Sequence, residues 1–213
     1  MAMVDLPAGF RVRRADASDH AAFLDICLKT GDSGQDGTHL QDDPALLGLV
    51  FAVPYQVCQP DFAFALEDAW GVCGYALGVS DTLAFQGWLD SVWFPPLRAR
   101  LRNPGPAAAD WAKSDWLRWR IFAPLRHPPV DLACYPGHGH IDLLPRAQGK
   151  GFGRLLMAQV TGALAAAGCP GMFLEVSPKN PRALGFYAAL GFHALAPPGN
   201  VDDTVYVARR FQP

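Results

Sequence analysis

The sequence predicts an α/β fold built on a mixed sheet of about six or seven strands. Residues 140–145, 152–167 and 172–176 read in turn as an apolar strand, an amphipathic helix and a second apolar strand, which is the pattern of a parallel βαβ unit. Residues 61–66 and 72–79 are two further apolar strands joined by a short turn, which indicates an antiparallel hairpin. Half of the 213 residues are hydrophobic, so the chain can bury one sizeable core within a single domain.

The composition argues against several classes of protein. A net charge of −2 gives no electrostatic reason to expect a nucleic acid or an anionic membrane as partner. The five cysteines include no Cys-x-x-Cys pair, which argues against a disulfide framework or a zinc knuckle and favours a reducing compartment. The first residues lack the features of a signal peptide, and the apolar stretch 45–53 is too short to span a membrane. We therefore expect a soluble, cytoplasmic protein, and a homodimer stays open.

The N-terminal part predicts a strand, short helices and a polar loop. Residues 10–14 alternate apolar and charged side chains, as a half-buried strand does. Ser18 is a typical N-cap for the helix that follows, and we expect this helix to end at Gly31. The glycine- and acid-rich segment 31–38 is either a solvated connection, which we favour, or part of a substrate entrance. Pro44 is expected at the first position of another short helix.

The segment from residue 81 to about 126 differs from the rest of the chain in composition. It holds five of the six tryptophans, interleaved with arginines and broken by proline-rich pieces. We predict a mostly helical insertion, covering about 81–130, before the central strand. Tryptophan and arginine can stack on nucleic-acid bases. Because the segment has no basic run, we favour an amphipathic cover whose tryptophans face the core.

Two weaker features lie between the insertion and the central strand. Residues 131–135 suggest an extra strand, and residues 136–139 (Pro-Gly-His-Gly) suggest a tight turn. His138 and His140 have no third ligand at a familiar spacing, so the sequence predicts no metal site.

The C-terminal part predicts a capped helix and a closing strand pair. Asn180 is a good N-cap and Pro181 a good first residue for a short helix, which Gly191 ends. Residues 192–195 and 204–211 are expected to pair as antiparallel strands across a Pro-Pro-Gly-Asn loop.

A glycine-rich turn at 148–154 (Gln-Gly-Lys-Gly-Phe-Gly-Arg) separates the central strand from the amphipathic helix. The first N–H groups of a helix lack partners inside it and carry partial positive charge, so the turn suits an anion such as a pyrophosphate. A Rossmann fingerprint fails because Arg154 stands at its last glycine position, and a P-loop fails because Gly151 follows Lys150. The turn offers backbone N–H groups with Lys150 and Arg154 and no metal-binding hydroxyl, which suits the pyrophosphate of a ligand that is not cleaved at its phosphates.

Two motifs at the right separation carry a resemblance to a known family. Residues 148–153 match the Q/R-x-x-G-x-G/A motif with which the Gcn5-related N-acetyltransferase (GNAT) family holds the pyrophosphate of acetyl-CoA. Asn180, followed by Phe-Tyr-Ala-Ala-Leu-Gly-Phe at 186–192, resembles the closing motif of that family. Residues 72–78, residues 140–143 and the long insertion are similar in particular to the acetyltransferase-like C-terminal domain of O-GlcNAcase and its free-standing bacterial relatives.

The resemblance implies the GNAT acyl-CoA N-acyltransferase fold, with a mixed, splayed sheet and acetyl-CoA lying where two parallel strands diverge. It implies that the backbone of Leu143 and Leu144 pairs with the pantetheine arm, and that residues 148–154 hold the pyrophosphate. The cofactor-binding residues that it implies are Leu143, Leu144, Gln148, Gly149, Lys150, Gly151, Phe152, Gly153, Arg154, Ser177, Asn180, Arg182 and Tyr187.

The chemistry of acetyl transfer adds candidate catalytic residues. The leaving thiolate needs a proton donor, and the resemblance implies that Tyr187 is this acid. The oxyanion needs a donor, for which the N–H of Leu143 or of a neighbouring residue is a candidate. Asp142, His140 and Glu175 are candidate bases for the ammonium nucleophile, and we single out Asp142. The alternative is that Asp142 and His140 only form hydrogen bonds within the sheet.

The function implied by the resemblance is transfer of an acetyl group from acetyl-CoA to a primary amine by direct attack. The acceptor is either a small molecule or a protein lysine. The alternative function is that of a pseudo-acetyltransferase, which binds acetyl-CoA or a protein without turnover.

Overall fold

The structure, a computed structural model, describes residues 9–124, 128–195 and 204–211. The strands of its sheet are β1 Arg11–Arg14, β2 Ala63–Asp68, β3 Gly71–Val79, β4 Gly137–Leu143, β5 Gly171–Val176, β6 His193–Ala194 and β7 Val205–Arg210. The α-helices are α1 His20–Lys29, α2 Leu46–Phe51, α3 Val53–Cys58, α4 Thr82–Trp88, α5 Phe94–Arg98, α6 Asp115–Phe122, α7 Phe152–Ala166 and α8 Pro181–Ala188. Within these residues, no helix has the length and apolar character needed to cross a membrane.

The seven strands lie in the order β1-β2-β3-β4-β5-β7-β6. Neighbouring strands are antiparallel except for β4 and β5, which are parallel and pair only at Gly137–Met172 and His138–Phe173. Beyond these two pairs the strands diverge, although β4 remains paired with β3 as far as Leu143. The mixed, splayed sheet of the predicted fold is therefore confirmed, with its gap between β4 and β5.

Helices cover both faces of the sheet. A Cβ added at Gly78 would lie 2.8 Å from the Val160 side chain, so β3 needs a glycine there to let α7 pack closely on one face. Tyr75 points to the opposite face, where its ring lies 4.8 Å from the ring of Phe23 in α1. Because side chains alternate along a strand, Asp142, the register partner of Tyr75, shares this second face.

The N-terminal helices begin later than the sequence predicts. Ser18 does not cap α1; Asp16 accepts a hydrogen bond from the Ser18 N–H (2.8 Å) in a short 3₁₀ turn, and α1 follows from His20. Pro44 does not begin a helix either, because Asp43 accepts the Ala45 N–H in a turn and α2 begins afterwards. In each case an aspartate side chain stabilises a local turn before the helix.

The two elements predicted before the central strand were wrong. Residues 131–135 form a turn, in which the Tyr135 N–H donates to the Asp131 carbonyl. Residues 137–139 belong to β4 instead of a tight turn. A Cβ at Gly139 would lie 2.4 Å from the carbonyl oxygen of Leu77, so this glycine allows close approach of neighbouring strands.

The insertion between β3 and β4 is helical, as predicted. It contains α4, a π-helical turn at Leu89–Trp93, α5 and α6. The prediction that its tryptophans face the core holds only in part, because Trp88 and Trp93 are half-buried against the core whereas Trp116 is 39% exposed. The buried hydrophobic side chains of the insertion are Phe85, Leu89, Phe94, Leu97, Leu117 and Ile121.

The last two strands pair antiparallel as predicted, and the loop expected between them falls outside the described residues. The N-cap role of Asn180 is also confirmed, since its Oδ1 accepts the Ala183 N–H at 3.0 Å.

The buried side chain of Asp19 stabilises the turn that precedes α1. It is 3% exposed, accepts two hydrogen bonds of 2.7 Å from Arg13 and accepts the Asp16 N–H at 2.9 Å. Burial raises the pKa of Asp19, but these hydrogen bonds outweigh burial and hold the pKa below its usual value.

We expect Asp19→Asn to lower the free energy of unfolding by about 2–3 kcal/mol at pH 7, because one amide group would face the Arg13 guanidinium. Since the lowered pKa stabilises the ionised form, the difference from wild type should shrink as the pH falls below about 4. Urea denaturation measures both effects. Asp61→Asn is the control, because Asp61 is 85% exposed and its ion pair with Arg14 should contribute less than about 1 kcal/mol. Equal losses in the two variants would contradict the assignment.

Candidate active site

The edge of β4 that faces β5 supplies backbone groups to the gap. The Leu144 N–H donates to the Cys73 carbonyl of β3 at 2.9 Å. Because hydrogen bonds alternate in direction along an antiparallel strand, Ile141 and Leu143 direct their N–H groups to the opposite side, into the gap. The carbonyl of Leu143 accepts a hydrogen bond from Gln148 Nε2 at 2.7 Å. Of the two residues predicted to pair with a ligand, the structure therefore directs the amide of Leu143 to the gap and that of Leu144 to the sheet.

The glycine-rich turn leads directly into the N-terminus of α7. Gly149 and Gly151 have φ angles of 74° and 83°, a conformation that favours glycine, and a Cβ at either position would meet open space. Gly151 is the N-cap of α7, and no side chain caps the first N–H groups of this helix. Gly153 has a different role, because a Cβ there would lie 3.1 Å from the ring of Phe186. The turn thus presents an uncapped helix N-terminus to solvent space.

Charged and polar side chains surround this turn. The Lys150 ammonium donates to the Arg146 carbonyl and lies 5.0 Å from the centroid of the Phe10 ring. Arg154 is exposed in the first turn of α7. Arg182 of α8 donates to Gln148 Oε1 at 2.7 Å, so Gln148 connects α8 to the Leu143 carbonyl. This connection holds the turn against the gap.

A cavity of about 460 Å³ opens on the face of the sheet that α1 covers. Its volume is within the range of small-molecule sites. Of the predicted site residues, it brings together Asp142, Ser177, Asn180 and Tyr187, together with the alternative bases His140 and Glu175. The remaining predicted residues lie outside its lining, along the β4 edge and the turn: Leu143, Leu144, Gln148, Gly149, Lys150, Gly151, Phe152, Gly153, Arg154 and Arg182.

Asp142 lies at the centre of a polar cluster in this cavity. Its Oδ2 accepts a hydrogen bond from the Tyr75 hydroxyl at 2.6 Å and lies 3.2 Å from Nε2 of His140. Nδ1 of His140 lies 2.6 Å from the carbonyl oxygen of Phe51. Since a carbonyl oxygen only accepts, Nδ1 must carry a proton, which leaves Nε2 facing the carboxylate.

One further proton is therefore shared between His140 and Asp142. Without it, the lone pair of Nε2 would oppose a carboxylate oxygen that already accepts from Tyr75. Burial raises the pKa of Asp142, and the neighbouring His140 partly offsets this effect. A carboxyl group with a raised pKa is better matched to proton transfer near neutral pH than an exposed one.

Tyr187 and Glu175 also face the cavity. Tyr187 is 8% exposed, and burial followed by the charge of Asp142 raises its pKa, so its hydroxyl stays protonated. Among the described residues, the Tyr187 hydroxyl has no hydrogen-bond partner. Glu175 is 39% exposed and lies 3.8 Å from Arg120 of the insertion. Asp142 is thus the more deeply buried of the two acids.

His138 does not join the polar cluster. Its Nδ1 lies 2.8 Å from the hydroxyl of Thr82, and burial lowers its pKa to about 3. Its ring stacks on Phe173 of β5 at 5.5 Å, at the last paired position of the two strands. His138 therefore remains neutral and packs in the wall of the cavity.

Sequence reasoning missed three residues of the cluster: Tyr75, Phe51 and Cys27. Tyr75 lies beside Asp142 through the antiparallel pairing of β3 with β4, two strands that the insertion separates along the chain. Phe51 lies 89 residues before His140 and contributes a backbone carbonyl. No pattern of side chains in the sequence predicts such a contact. Cys27 is one of the buried residues of α1, and the fold places its sulfur near the Asp142 carboxylate.

Known proteins resemble this chain both in sequence and in fold. Residues 121–192 match the acetyltransferase (GNAT) family. The structure called SsHAT is similar to this chain with a TM-score of 0.85 and 35% sequence identity, over 95% of this chain and 98% of that one. A phosphinothricin acetyltransferase from Sinorhizobium meliloti, solved in complex with AcCoA, shares the fold with a TM-score of 0.53 and 17% identity, over 95% of this chain and 88% of that one.

One relative in sequence is much longer than this chain. Protein O-GlcNAcase of Rattus norvegicus is 29% identical over 188 residues, which cover 88% of this chain. The chain spans only 20% of the length of that relative. The similarity therefore concerns one part of the rat protein.

Asp142→Asn should leave the free energy of unfolding unchanged or raise it by about 1–2 kcal/mol, because the amide removes a buried ionisable group. An amide nitrogen in the position of Oδ2 carries two hydrogens, so it can donate one to Nε2 of His140 and the other to the Tyr75 hydroxyl oxygen. Urea denaturation at pH 7 measures the change. The same substitution at Asp19 is the matched comparison, because Asp19, unlike Asp142, accepts two hydrogen bonds from one arginine guanidinium. A loss above about 1 kcal/mol at Asp142 would show that the ionised carboxylate stabilises the fold.

Proposed function

The chain belongs to the acetyltransferase (GNAT) family, and we propose that it binds acetyl-CoA between β4 and β5 and transfers the acetyl group to a primary amine. The observation that carries this proposal is the broken β4–β5 ladder, with the Leu143 amide directed into the gap and the uncapped end of α7 beside it. The acetyl-CoA complex of the related Sinorhizobium meliloti enzyme supports the choice of thioester.

The residues around the gap fit the parts of acetyl-CoA. Open space above Gly149 and Gly151 accommodates a pyrophosphate, which the N–H groups of α7 and the exposed Arg154 attract. The Leu143 and Ile141 amides can pair with the amide groups of a pantetheine arm, as an added strand would. When bound, acetyl-CoA supplies an acetyl group activated as a thioester.

We assign the deprotonation of the amine to Asp142 together with His140. The pair shares one proton and lines the cavity, so it can take a second proton from an ammonium group that enters there. The Phe51 carbonyl fixes the orientation of His140, and the Tyr75 hydroxyl fixes that of Asp142. His140 and Tyr75 are positioning residues in this proposal. Glu175 is a weaker candidate because Arg120 is its neighbour and solvent reaches it.

Tyr187 is the proton donor for the thiolate in the proposed reaction. Its hydroxyl is protonated and uncommitted within the described structure, and it faces the cavity beside Asn180. The proposed donor to the oxyanion is the N–H of Leu143 or of Ile141, because both point into the gap and the one that does not pair with the pantetheine arm can donate to the oxyanion. The proposed acid and base thus line one cavity, and the proposed oxyanion donor lies on the β4 edge beside it.

Binding of acetyl-CoA without transfer is the second candidate function. This function is favoured because Oδ2 of Asp142, the proposed base, already contacts both Tyr75 and His140. A carboxylate that only stabilises the cavity would have the same contacts. Turnover measurements separate the two functions.

Arg154→Glu should raise the Kd for acetyl-CoA about 10- to 100-fold, because a charge-assisted contact to the pyrophosphate becomes a repulsion. Titration calorimetry measures the Kd. Arg100→Glu is the control, since Arg100 is an exposed arginine of the insertion and the charge change is identical. A short acetyl thioester without the nucleotide should bind equally to both variants. Equal weakening of acetyl-CoA in the two variants would disprove the placement of the pyrophosphate.

Tyr187→Phe should lower kcat by about 100-fold or more while the Kd for acetyl-CoA stays unchanged, because only the proton donor is lost. Release of the CoA thiol over a panel of amines and lysine peptides measures turnover. Tyr135→Phe is the control, because that tyrosine is also buried but contacts His193 outside the cavity. An unchanged rate in Tyr187→Phe would exclude this residue as the acid, and tight acetyl-CoA binding without any thiol release would favour the binding function.

A further inference from the structure

Three potential metal ligands converge in the cavity from two elements. The sulfur of Cys27 in α1, a ring nitrogen of His140 and a carboxylate oxygen of Asp142 lie within 4.8 Å of one another. We propose that these three side chains form a binding site for a thiophilic divalent cation of the zinc class. The proposal concerns binding of the metal itself, and it does not require acetyl transfer.

The donor set is selective for this class of cation. Thiolate, imidazole and carboxylate are the ligand types of protein-bound zinc, whereas magnesium and calcium prefer oxygen donors. Ligands at zinc distances lie about 3.3–3.6 Å apart in tetrahedral geometry. The Nε2–Oδ2 distance between His140 and Asp142 is 3.2 Å, just below this spacing. Only the Cys27 sulfur has to approach by a small movement.

Neighbouring groups orient these ligands as they do in metal sites. A metal-binding histidine usually donates its other ring N–H to a carbonyl or carboxylate, and here Nδ1 of His140 donates to the Phe51 carbonyl at 2.6 Å. Ligating carboxylates are usually hydrogen-bonded as well, and the Tyr75 hydroxyl contacts Asp142 at 2.6 Å. Both ligand orientations are therefore fixed before any metal arrives.

The position of the cluster leaves one side open. All three side chains line the cavity, so a bound cation would have three protein ligands and one position for water or a small molecule. Cys27 is 2% exposed, and burial raises the pKa of its thiol. A coordinated cation would deprotonate the thiol, which is the usual result of metal binding to cysteine.

Spacing along the chain does not reveal this site. His138 and His140 are the histidines that suggest a metal by proximity in sequence, but His138 contacts Thr82 instead. The partners of His140 are Asp142, two residues away, and Cys27, more than one hundred residues away. The packing of α1 on β4 brings Cys27 to the other two.

Occupation of the site would block the proposed base. A cation bound to His140 and Asp142 takes the lone pairs that would accept the proton of the amine. This consequence rests on the proposed function: zinc should then inhibit acetyl transfer. Direct metal binding is the test that remains valid if the protein proves to have no transferase activity.

The experiment titrates the chelator-treated full chain, kept reduced with a phosphine, with zinc and with cobalt chloride alone. We expect saturation at one equivalent and a thiolate-to-cobalt charge-transfer band in the absorption spectrum. Cys27→Ser should remove the band and weaken zinc binding at least about 10-fold. Cys73→Ser is the control, since Cys73 is equally buried and lies outside the cluster.

Three outcomes would overturn the proposal: no stoichiometric binding, a cobalt band that survives in Cys27→Ser, or equal losses in the two cysteine variants. His140→Gln provides a second removal of a ligand if circular dichroism shows that Cys27→Ser is unfolded, and it should weaken zinc to the same extent. If zinc binds as expected but no amine is acetylated by the metal-free protein, the metal site stands and the proposed function fails.

Discussion

The whole site depends on the early end of the β4–β5 ladder. The two strands separate after His138 and Phe173, yet each keeps its outer neighbour, β3 or β7, to its last residue. The sheet therefore stays continuous while β4 exposes one row of backbone groups. A buried N–H without a partner costs about 1–3 kcal/mol, so such an edge favours a ligand with amide groups of its own. The separation of the two strands is thus the feature that would let this edge bind a ligand.

The cavity beside this gap combines burial with ionisable groups, and the two requirements oppose each other. Asp142 is covered by Tyr75 and α1, which raises its pKa, and only the proton shared with His140 removes the need for a bare charge. A purely structural core would have an apolar side chain at this position. The cost in stability is understandable if the cavity performs chemistry on a substrate or holds a cation.

The strands and the glycine turn were predictable because their signals are local. Residues 148–153 encode the positive φ angles of Gly149 and Gly151 in their own sequence. Gly137 and Gly139 were misread as a turn, because the same residue type also allows close approach of strands, and only the neighbouring carbonyls of β3 distinguish the two uses. Cys27 and the Phe51 carbonyl reach the site through tertiary packing. The candidate site was therefore predictable along β4 and α8, and not where α1 and α2 cover it.

Phe51 connects the insertion to the polar cluster, and this connection gives the insertion a role that its composition does not suggest. The Phe51 ring stacks on Trp116 at 5.9 Å and lies under the Arg120 guanidinium, while its backbone carbonyl holds Nδ1 of His140. Because Trp116 and Arg120 both belong to α6, this helix restrains Phe51 and with it the position of that carbonyl. The orientation of His140 then depends on the insertion. The insertion therefore both lines the cavity and, through Phe51, supports the orientation of His140.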